Sequence, residues 1–145
     1  MSGRVLRGAV LAMALASALP AQGAPGIPVR VRVLRGSRQG PAAVDQRLGD
    51  LRAQLGHLAY LRWDQVAEQQ SEMDFRRAWN IPLPDGSLLT LTVLESAKDT
   101  VTFQVNVPAH KTSSRLTISK DKRIVHQVSG EKAGEAYFVS IRPWP

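Results

Sequence analysis

The chain has 145 residues, of which 43% are hydrophobic and 21% are charged, and its formal net charge is +7. This length fits a single domain, and the composition is that of a chain able to bury a core, which excludes a wholly disordered protein. Because the chain has no cysteine, disulfide scaffolds, thiol nucleophiles, Cys-ligated zinc and iron–sulfur clusters are excluded as well.

Residues 1–23 are predicted to be a secretory signal peptide. Arg4 and Arg7 make its start basic, and the apolar stretch at residues 9–19 is too short to span a bilayer of about 30 Å as a helix. Cleavage is predicted before Ala24, and an uncleaved anchor is the alternative. Loss of the two arginines leaves 17 basic residues against 12 acidic ones, a net charge of +5. A cysteine-free exported chain fits the bacterial periplasm or exterior better than an animal secretory route.

A short leader at residues 24–28 is followed by one predicted domain at residues 29–143. Its first segment alternates apolar and basic residues, in the order Val29, Arg30, Val31, Arg32 and Val33. This period of two is typical of a strand with one apolar and one cationic face.

The period changes in the next segment, which predicts a one-sided α-helix at residues 45–55. Its apolar residues recur every three or four positions, at Val44, Leu48, Leu51, Leu55 and Leu58. Asp45 is the predicted N-cap, and Gly56 suits the C-terminal exit. Asp50 and Gln54 fall on the opposite face, where we expect solvent.

Strands are predicted for most of the remaining chain. Residues 60–71 fit either a strand or a helix, and we favour the strand. A period of two continues at residues 73–75, 79–83, 89–93, 101–107, 116–118 and 137–141. Polar turns fall at residues 84–86, 97–99, 119–122 and 130–134, so consecutive strands should pair antiparallel.

This order of elements predicts a fold that is mainly β with one α-helix after the first strand, in a small antiparallel β-sandwich or partly open barrel. The aromatic residues expected to face inward are Trp63, Phe75, Trp79, Phe103 and Tyr137. Trp144 lies between two prolines and is expected to be exposed. The residues expected to protect sheet edges are Arg30, Arg32, Pro82, Lys120 and Lys122.

The layout resembles a known group of proteins over most of residues 29–142. The segments that carry the likeness are residues 30–37, residues 44–55, the strand with Tyr60 and Trp63, and residues 81–86. In these segments the chain resembles small exported proteins of unknown function from myxobacteria-like bacteria. The resemblance implies the fold and export, because that group has no assigned activity. The chain departs from the group's pattern at residues 68–77.

Motifs for catalysis are weak. His57, His110 and His126 lie far apart and form no H-x-x-H or H-E-x-x-H spacing, so no metal site is predicted. There is no G-x-S-x-G, and the two S-x-x-K matches lie in predicted polar turns. We therefore expect a protein that is not an enzyme and has no cofactor. Paired carboxylates such as Glu68 and Glu72 leave a small hydrolase open as an alternative.

The excess of basic residues is the strongest functional signal. It falls into two groups, which supply the candidate binding residues Arg30, Arg32, Arg35, Arg38, Lys120, Lys122 and Arg123. Such groups predict attraction to an anionic partner. Nucleic acid is not expected, because the chain is exported and the groups lack the stacking aromatics of a single-strand site.

The predicted function is an exported, non-catalytic envelope module that binds or scaffolds another envelope component, either a protein or an anionic polymer or lipid. One alternative is a small-ligand carrier with an apolar interior, and a less favoured one is a carboxylate-based envelope hydrolase. No transmembrane span is expected after cleavage. The sequence leaves the oligomeric state open.

Overall fold

The computed structural model describes residues 26–143. The predicted signal peptide and Trp144 lie outside the described residues. Within them the strands are β1 (Ile27–Ser37), β2 (Ala43–Val44), β3 (Arg62–Met73), β4 (Ala78–Pro82), β5 (Leu88–Ser96), β6 (Thr100–Val107), β7 (Thr112–Ser119), β8 (Ile124–Gln127) and β9 (Glu135–Pro143). A 3₁₀-helix at Gln46–Leu51 continues into one α-helical turn, α1 (Arg52–Leu55), and a second 3₁₀ turn covers Pro108–His110.

The strands form two sheets. The five-stranded sheet has the order β2-β3-β1-β9-β8, and the four-stranded sheet has the order β4-β5-β6-β7. Neighbouring strands are antiparallel except β2 and β3, which are parallel. The predicted fold class, a mainly β sandwich or partly open barrel with one short helix, is confirmed. The predicted meander describes the four-stranded sheet. The five-stranded sheet is not a meander, because β1 lies between β3 and β9.

The space between the two sheets is filled by apolar side chains from alternate strand positions. On β1 and β6 these residues are Val29, Val31, Val33, Val101, Phe103, Val105 and Val107, and each has at most 1% of its surface exposed. Alternate residues are buried together because successive strand residues point to opposite sides of a sheet. Burial of each such side chain contributes about 1.5–3 kcal/mol.

A second apolar cluster lies on the other side of the five-stranded sheet. Leucines of the helical segment at residues 46–55 cover Leu34 and Phe138 there. The rings of Trp63 and Phe138 meet edge to face with centroids 4.8 Å apart. Gly36 gives the Trp63 ring its space, because a Cβ on Gly36 would lie 3.1 Å from that ring. The five-stranded sheet is therefore covered on both sides over part of its area.

The helical segment departs from the prediction in its geometry. Asp45 is the N-cap, as predicted, and accepts a hydrogen bond from the Arg47 N–H. The next six residues form a 3₁₀-helix interrupted at Leu48, which has φ −103° and ψ 17°, so only one α-helical turn follows. Leu58 lies beyond that turn and is 37% exposed, outside the packed stripe. Short 3₁₀ pieces are common where a helix is held by its contacts rather than by its length.

Residues 60–77 hold one confirmed prediction and one error. The ambiguous segment forms β3, a strand with a bulge at Val66 that breaks its register with β1. Phe75 was expected to face inward but is 53% exposed. The chain has already left β3 at Met73, and Arg76 adopts a left-handed φ of 63° in the link to β4. Alternation therefore stops one residue pair earlier than the sequence pattern indicates.

The predicted edge positions are wrong for Arg30 and Arg32. Both lie on β1, which is flanked by β3 and β9 in the middle of its sheet. Pro82 does lie on an edge strand, β4, while Lys120 and Lys122 lie in the turn between β7 and β8. β1 also begins at Ile27, inside the predicted leader.

Truncation in the second cluster should destabilise the fold. Leu51 is fully buried there, so Leu51→Ala should lower the free energy of unfolding by about 2–5 kcal/mol. Leu61 is the matched control because it is 51% exposed, and Leu61→Ala should change the value by no more than about 0.5 kcal/mol. Urea unfolding measures both, and equal losses in the two variants would contradict this description of the cluster.

Candidate anion-binding face

The five-stranded sheet has a side that faces away from the four-stranded sheet, called the outer face here. Arg30 of β1 lies on it, directly opposite Arg142 of β9. Ile124 pairs with Ile141, so Arg123, the residue before β8, continues this row beside Arg142. We call Arg30, Arg142 and Arg123 the arginine row. Three arginines from three separate parts of the chain are therefore neighbours across β1, β9 and the start of β8.

Arg32 lies one row further along the outer face and is almost fully buried. Its side chain has 4% of its surface exposed. The guanidinium donates two hydrogen bonds to Asp50, at 3.0 Å to Oδ1 and 2.7 Å to Oδ2, and a third to the Arg47 carbonyl at 3.2 Å. Asp50 and Gln54 were expected to face solvent, but both bond to this region, Gln54 through the Arg123 carbonyl at 3.4 Å. Arg32 and Asp50 thus hold the helical segment against the sheet.

Asp50 is shared between Arg32 and the arginine row. Its Oδ2 also accepts a hydrogen bond from the Arg123 guanidinium at 2.9 Å. The bonds from Arg32 hold the pKa of Asp50 below its usual value, with burial acting in the opposite direction. Asp50 therefore stays ionised and forms a carboxylate between two guanidiniums.

Asp45 attaches the start of the helical segment to β3. Its carboxylate accepts hydrogen bonds from the Arg47 side chain and from the backbone N–H groups of Arg47 and Gln65, at 3.0 and 3.1 Å for the two N–H groups. These bonds hold the pKa of Asp45 well below its usual range. The helical segment at residues 46–55, which we also call the helical layer where it covers the sheet, is thus attached at both Asp45 and Asp50.

The arginine row has fewer carboxylates than guanidiniums. The Arg30 Nε donates to Glu68 Oε2 at 2.5 Å, and this bond lowers the pKa of Glu68. Among residues 26–143 no ion pair reaches Arg142, and its Nε is buried without a hydrogen-bond partner. The row and Arg32 together hold four guanidiniums, of which three are bonded to the carboxylates Glu68 and Asp50 and the fourth, Arg142, is bonded to none among the described residues. The outer face therefore has an excess of positive charge at Arg142.

The other predicted arginines lie elsewhere. Arg35 lies on the opposite side of the sheet, where its guanidinium is 3.6 Å from Asp64. Arg38 lies in the loop after β1, bonds Glu131 at 2.6 Å and stacks 4.9 Å from the centroid of the Tyr60 ring. Arg30, Arg32, Arg35 and Arg38 are close in sequence, yet only the first two share the outer face.

The second predicted group is divided in the same way. Lys120 lies with Asp99 and Asp121 around an open pocket of about 370 Å³ at the β7–β8 turn, and Lys122 is exposed in the same turn. Of this group only Arg123 reaches the arginine row. Sequence reasoning missed Arg142, whose one signal is its outward position in the alternation of β9.

Serine, histidine and aspartate meet at the tip of the β4–β5 hairpin. The His110 Nε2 is 2.6 Å from Asp85 Oδ2 and 3.4 Å from Ser87 Oγ, and that hydroxyl donates to Asp85 Oδ1 at 2.6 Å. In a hydrolytic relay the two ring nitrogens contact the serine and the carboxylate separately. Here one nitrogen contacts both, and the Ser87 bonds lower the pKa of Asp85. This arrangement closes a turn rather than activating a nucleophile.

Carboxylates also line an open pocket of about 280 Å³ beside the β3–β4 link. Glu72, Asp74, Arg77 and Trp79 contribute to it, and Asp74 is 3.5 Å from the Arg77 guanidinium. Within residues 26–143 no three His, Asp or Glu side chains form a group that could hold a metal ion. The hydrolase and carrier alternatives stay predictions.

Comparisons of the chain with protein-family models, curated proteins and solved structures found no match. The resemblance to small exported bacterial proteins therefore stays a prediction. In the described part of the chain, no helix combines the length and apolar character needed to cross a membrane.

Removing one partner of the Arg32–Asp50 pair should destabilise the protein. Asp50→Asn leaves the buried Arg32 guanidinium without its counterion, and we expect a loss of about 2 kcal/mol or more. The figure is below that of a fully buried pair because the Asp50 side chain is 35% exposed. The double variant Arg32→Met/Asp50→Leu should recover part of this loss in urea unfolding. A double variant less stable than Asp50→Asn would contradict this account.

Protonation of His126 should weaken the fold in mild acid. The ring lies half-buried on β8, 3.1 Å from Ser114 Oγ, and burial lowers its pKa from 6.5. The unfolded chain therefore takes up the proton first, so this contribution is present above pH about 6.5 and is lost as the pH falls through the folded-state pKa. His126→Gln should flatten the fall in unfolding free energy below neutral pH. Ser114→Ala, which keeps the imidazole, should retain the wild-type slope.

Proposed function

We propose that the protein is an exported, non-catalytic module of the bacterial envelope that binds an anionic membrane surface through its outer face. The observation that supports this most is the arginine row, in which Arg142 has no carboxylate partner among the described residues. The predicted mature net charge of +5 acts in the same direction, because it attracts the whole molecule to a negative surface.

Strand geometry favours a fixed charged surface over a flexible one. Arg30 and Arg142 project from adjacent strands, so their backbone positions keep a constant spacing without the ordering of a loop. Arginine also suits phosphate groups better than lysine does, because its planar fork donates two parallel hydrogen bonds. The outer face thus offers its arginines from strand positions that need no ordering on binding.

The surroundings of the row favour an anionic surface over a protein partner. Protein interfaces depend on buried aromatic and aliphatic anchors. The row's neighbours on β3 are the polar residues Gln70 and Glu68. The large apolar side chains exposed within the described residues lie outside the row, at Leu58, Leu61, Phe75 and Leu88. Attraction between charges is then the main source of affinity.

Binding to vesicles tests this function. The double variant Arg30→Gln/Arg142→Gln should bind vesicles containing phosphatidylglycerol roughly tenfold or more weakly than the wild type, at about 1 kcal/mol for each basic residue. The matched control is Arg115→Gln/Lys98→Gln, which removes the same charge from two exposed positions, one on β7 and one in the turn between β5 and β6. Co-sedimentation at rising salt measures both, and wild-type binding should weaken as salt screens the charges.

Two results would contradict the proposal. Equal losses in the two double variants would mean that net charge alone matters, and equal binding of the wild type to neutral and anionic vesicles would remove the electrostatic basis altogether.

A further inference from the structure

The arginine row contains an arrangement that is unfavourable in the protein alone. Arg30 and Arg142 lie directly opposite each other on neighbouring antiparallel strands. Side chains in such positions start about 4.5–5.5 Å apart at Cβ, and like charges there destabilise a sheet. Glu68 bonds Arg30 and so offsets one of the two charges. Arg142 is left with its charge and a buried N–H group that lacks an acceptor in the described part of the chain.

A buried donor without an acceptor is unfavourable, because it has given up its hydrogen bond to water for none in the protein. An oxyanion with several acceptor oxygens would offset the unpaired charge, because it can accept from the Arg142 guanidinium and lie between its charge and that of Arg30. Arg123 supplies a third guanidinium on the other side, at 2.9 Å from the Asp50 carboxylate. Arg30 on β1 and Arg123 at the start of β8 thus flank Arg142 on its two sides.

The surface beside Arg142 is stepped rather than flat, because the helical layer ends there. The Arg32 side chain is 4% exposed beneath the layer, whereas Arg30, on the same face of the same strand, is 30% exposed. The boundary of the layer therefore falls between these two residues, next to the row. A group bound at the step has protein on one side, where hydrogen bonds to charged donors are stronger than in open water.

The charge balance indicates which anion fits. Arg30, Arg32 and Arg123 are bonded to two carboxylates, Glu68 and Asp50, and among residues 26–143 Arg142 is bonded to none. Four guanidiniums against two carboxylates leave two positive charges. A phosphate monoester has a charge of about −1.5 to −2 near neutral pH and three strong acceptor oxygens. Glu72 lies on β3 two residues beyond Gln70, the partner of Arg30, and is opposite Pro28. Among residues 26–143 no ion pair joins Glu72 to the row.

We infer that the arginine row is a discrete binding site for one phosphate monoester group, held between Arg142, Arg30 and Arg123 at the boundary of the helical layer. This inference rests on the proposed function, since the same face is used. It goes further by assigning one site and one anion class in place of general attraction to a negative surface. A lipid headgroup with a terminal phosphate and free inorganic phosphate share this chemistry.

Titration with inorganic phosphate tests the site directly. Calorimetry on the purified protein, at constant ionic strength with chloride as the comparison, should show saturable binding of one phosphate. Arg142→Met, which keeps the aliphatic stem and removes the donors, should weaken it roughly tenfold or more. Arg115→Met, on the outward side of the four-stranded sheet, should leave it unchanged.

A second measurement separates a binding role of Arg142 from a structural one. In phosphate-free buffer, Arg142→Met should unfold at the wild-type temperature or above it, because the opposition to Arg30 is removed. Added phosphate should raise the unfolding temperature of the wild type and not that of the variant. A variant with a lower unfolding temperature than the wild type, together with no phosphate effect on the wild type, would overturn the inference.

Vesicles distinguish the two sources of phosphate. We expect tighter binding to phosphatidic acid, a monoester, than to phosphatidylglycerol, a diester, at equal surface charge, and inorganic phosphate should compete with it. Phosphate binding at Arg142 without vesicle binding would support the site with free phosphate as its ligand and overturn the membrane function. Salt-sensitive vesicle binding that neither phosphate nor Arg142→Met affects would overturn the site and leave the proposed function standing. Absence of both would overturn both.

Discussion

Burial of Arg32 in the middle of the five-stranded sheet is the constraint on which the rest of the molecule depends. A guanidinium removed from water needs partners for its charge and its donors. The helical segment supplies them through the Asp50 carboxylate and the Arg47 carbonyl. With the segment held there, its leucines cover Leu34 and Phe138, so one ion pair and one apolar cluster fix the same layer.

The helical layer determines which charges of the outer face are buried and which stay exposed. It covers Arg32 and takes up Asp50, while the arginine row remains beyond its boundary with fewer carboxylates than guanidiniums. The carboxylate that holds the layer in place is also bonded to Arg123. In the proposed site, fold stability and anion binding therefore share a group, because a ligand that drew Arg123 away from Asp50 would also act on the attachment of the helical segment.

The fold was predictable from the sequence where one local period had one interpretation. Alternation at residues 29–33, the turn at residues 84–86 and the Asp45 N-cap were all predicted and are confirmed. The prediction of an α-helix at residues 46–51 was wrong, because a period of three to four residues fits a 3₁₀-helix and an α-helix alike. The prediction that Phe75 faces inward was wrong, because the apolar alternation continues in the sequence after the backbone has left β3.

The sequence by itself determined which residues have an apolar face and which a charged one, since that pattern depends only on the strand period of two. Only the tertiary structure decided which strands are neighbours. It set Arg30 opposite Arg142 and brought Arg123 beside them, and it separated Arg35 and Arg38 from Arg30 despite their closeness in the chain. The physical reason is that strand order and register follow from packing between distant segments, which no local period specifies.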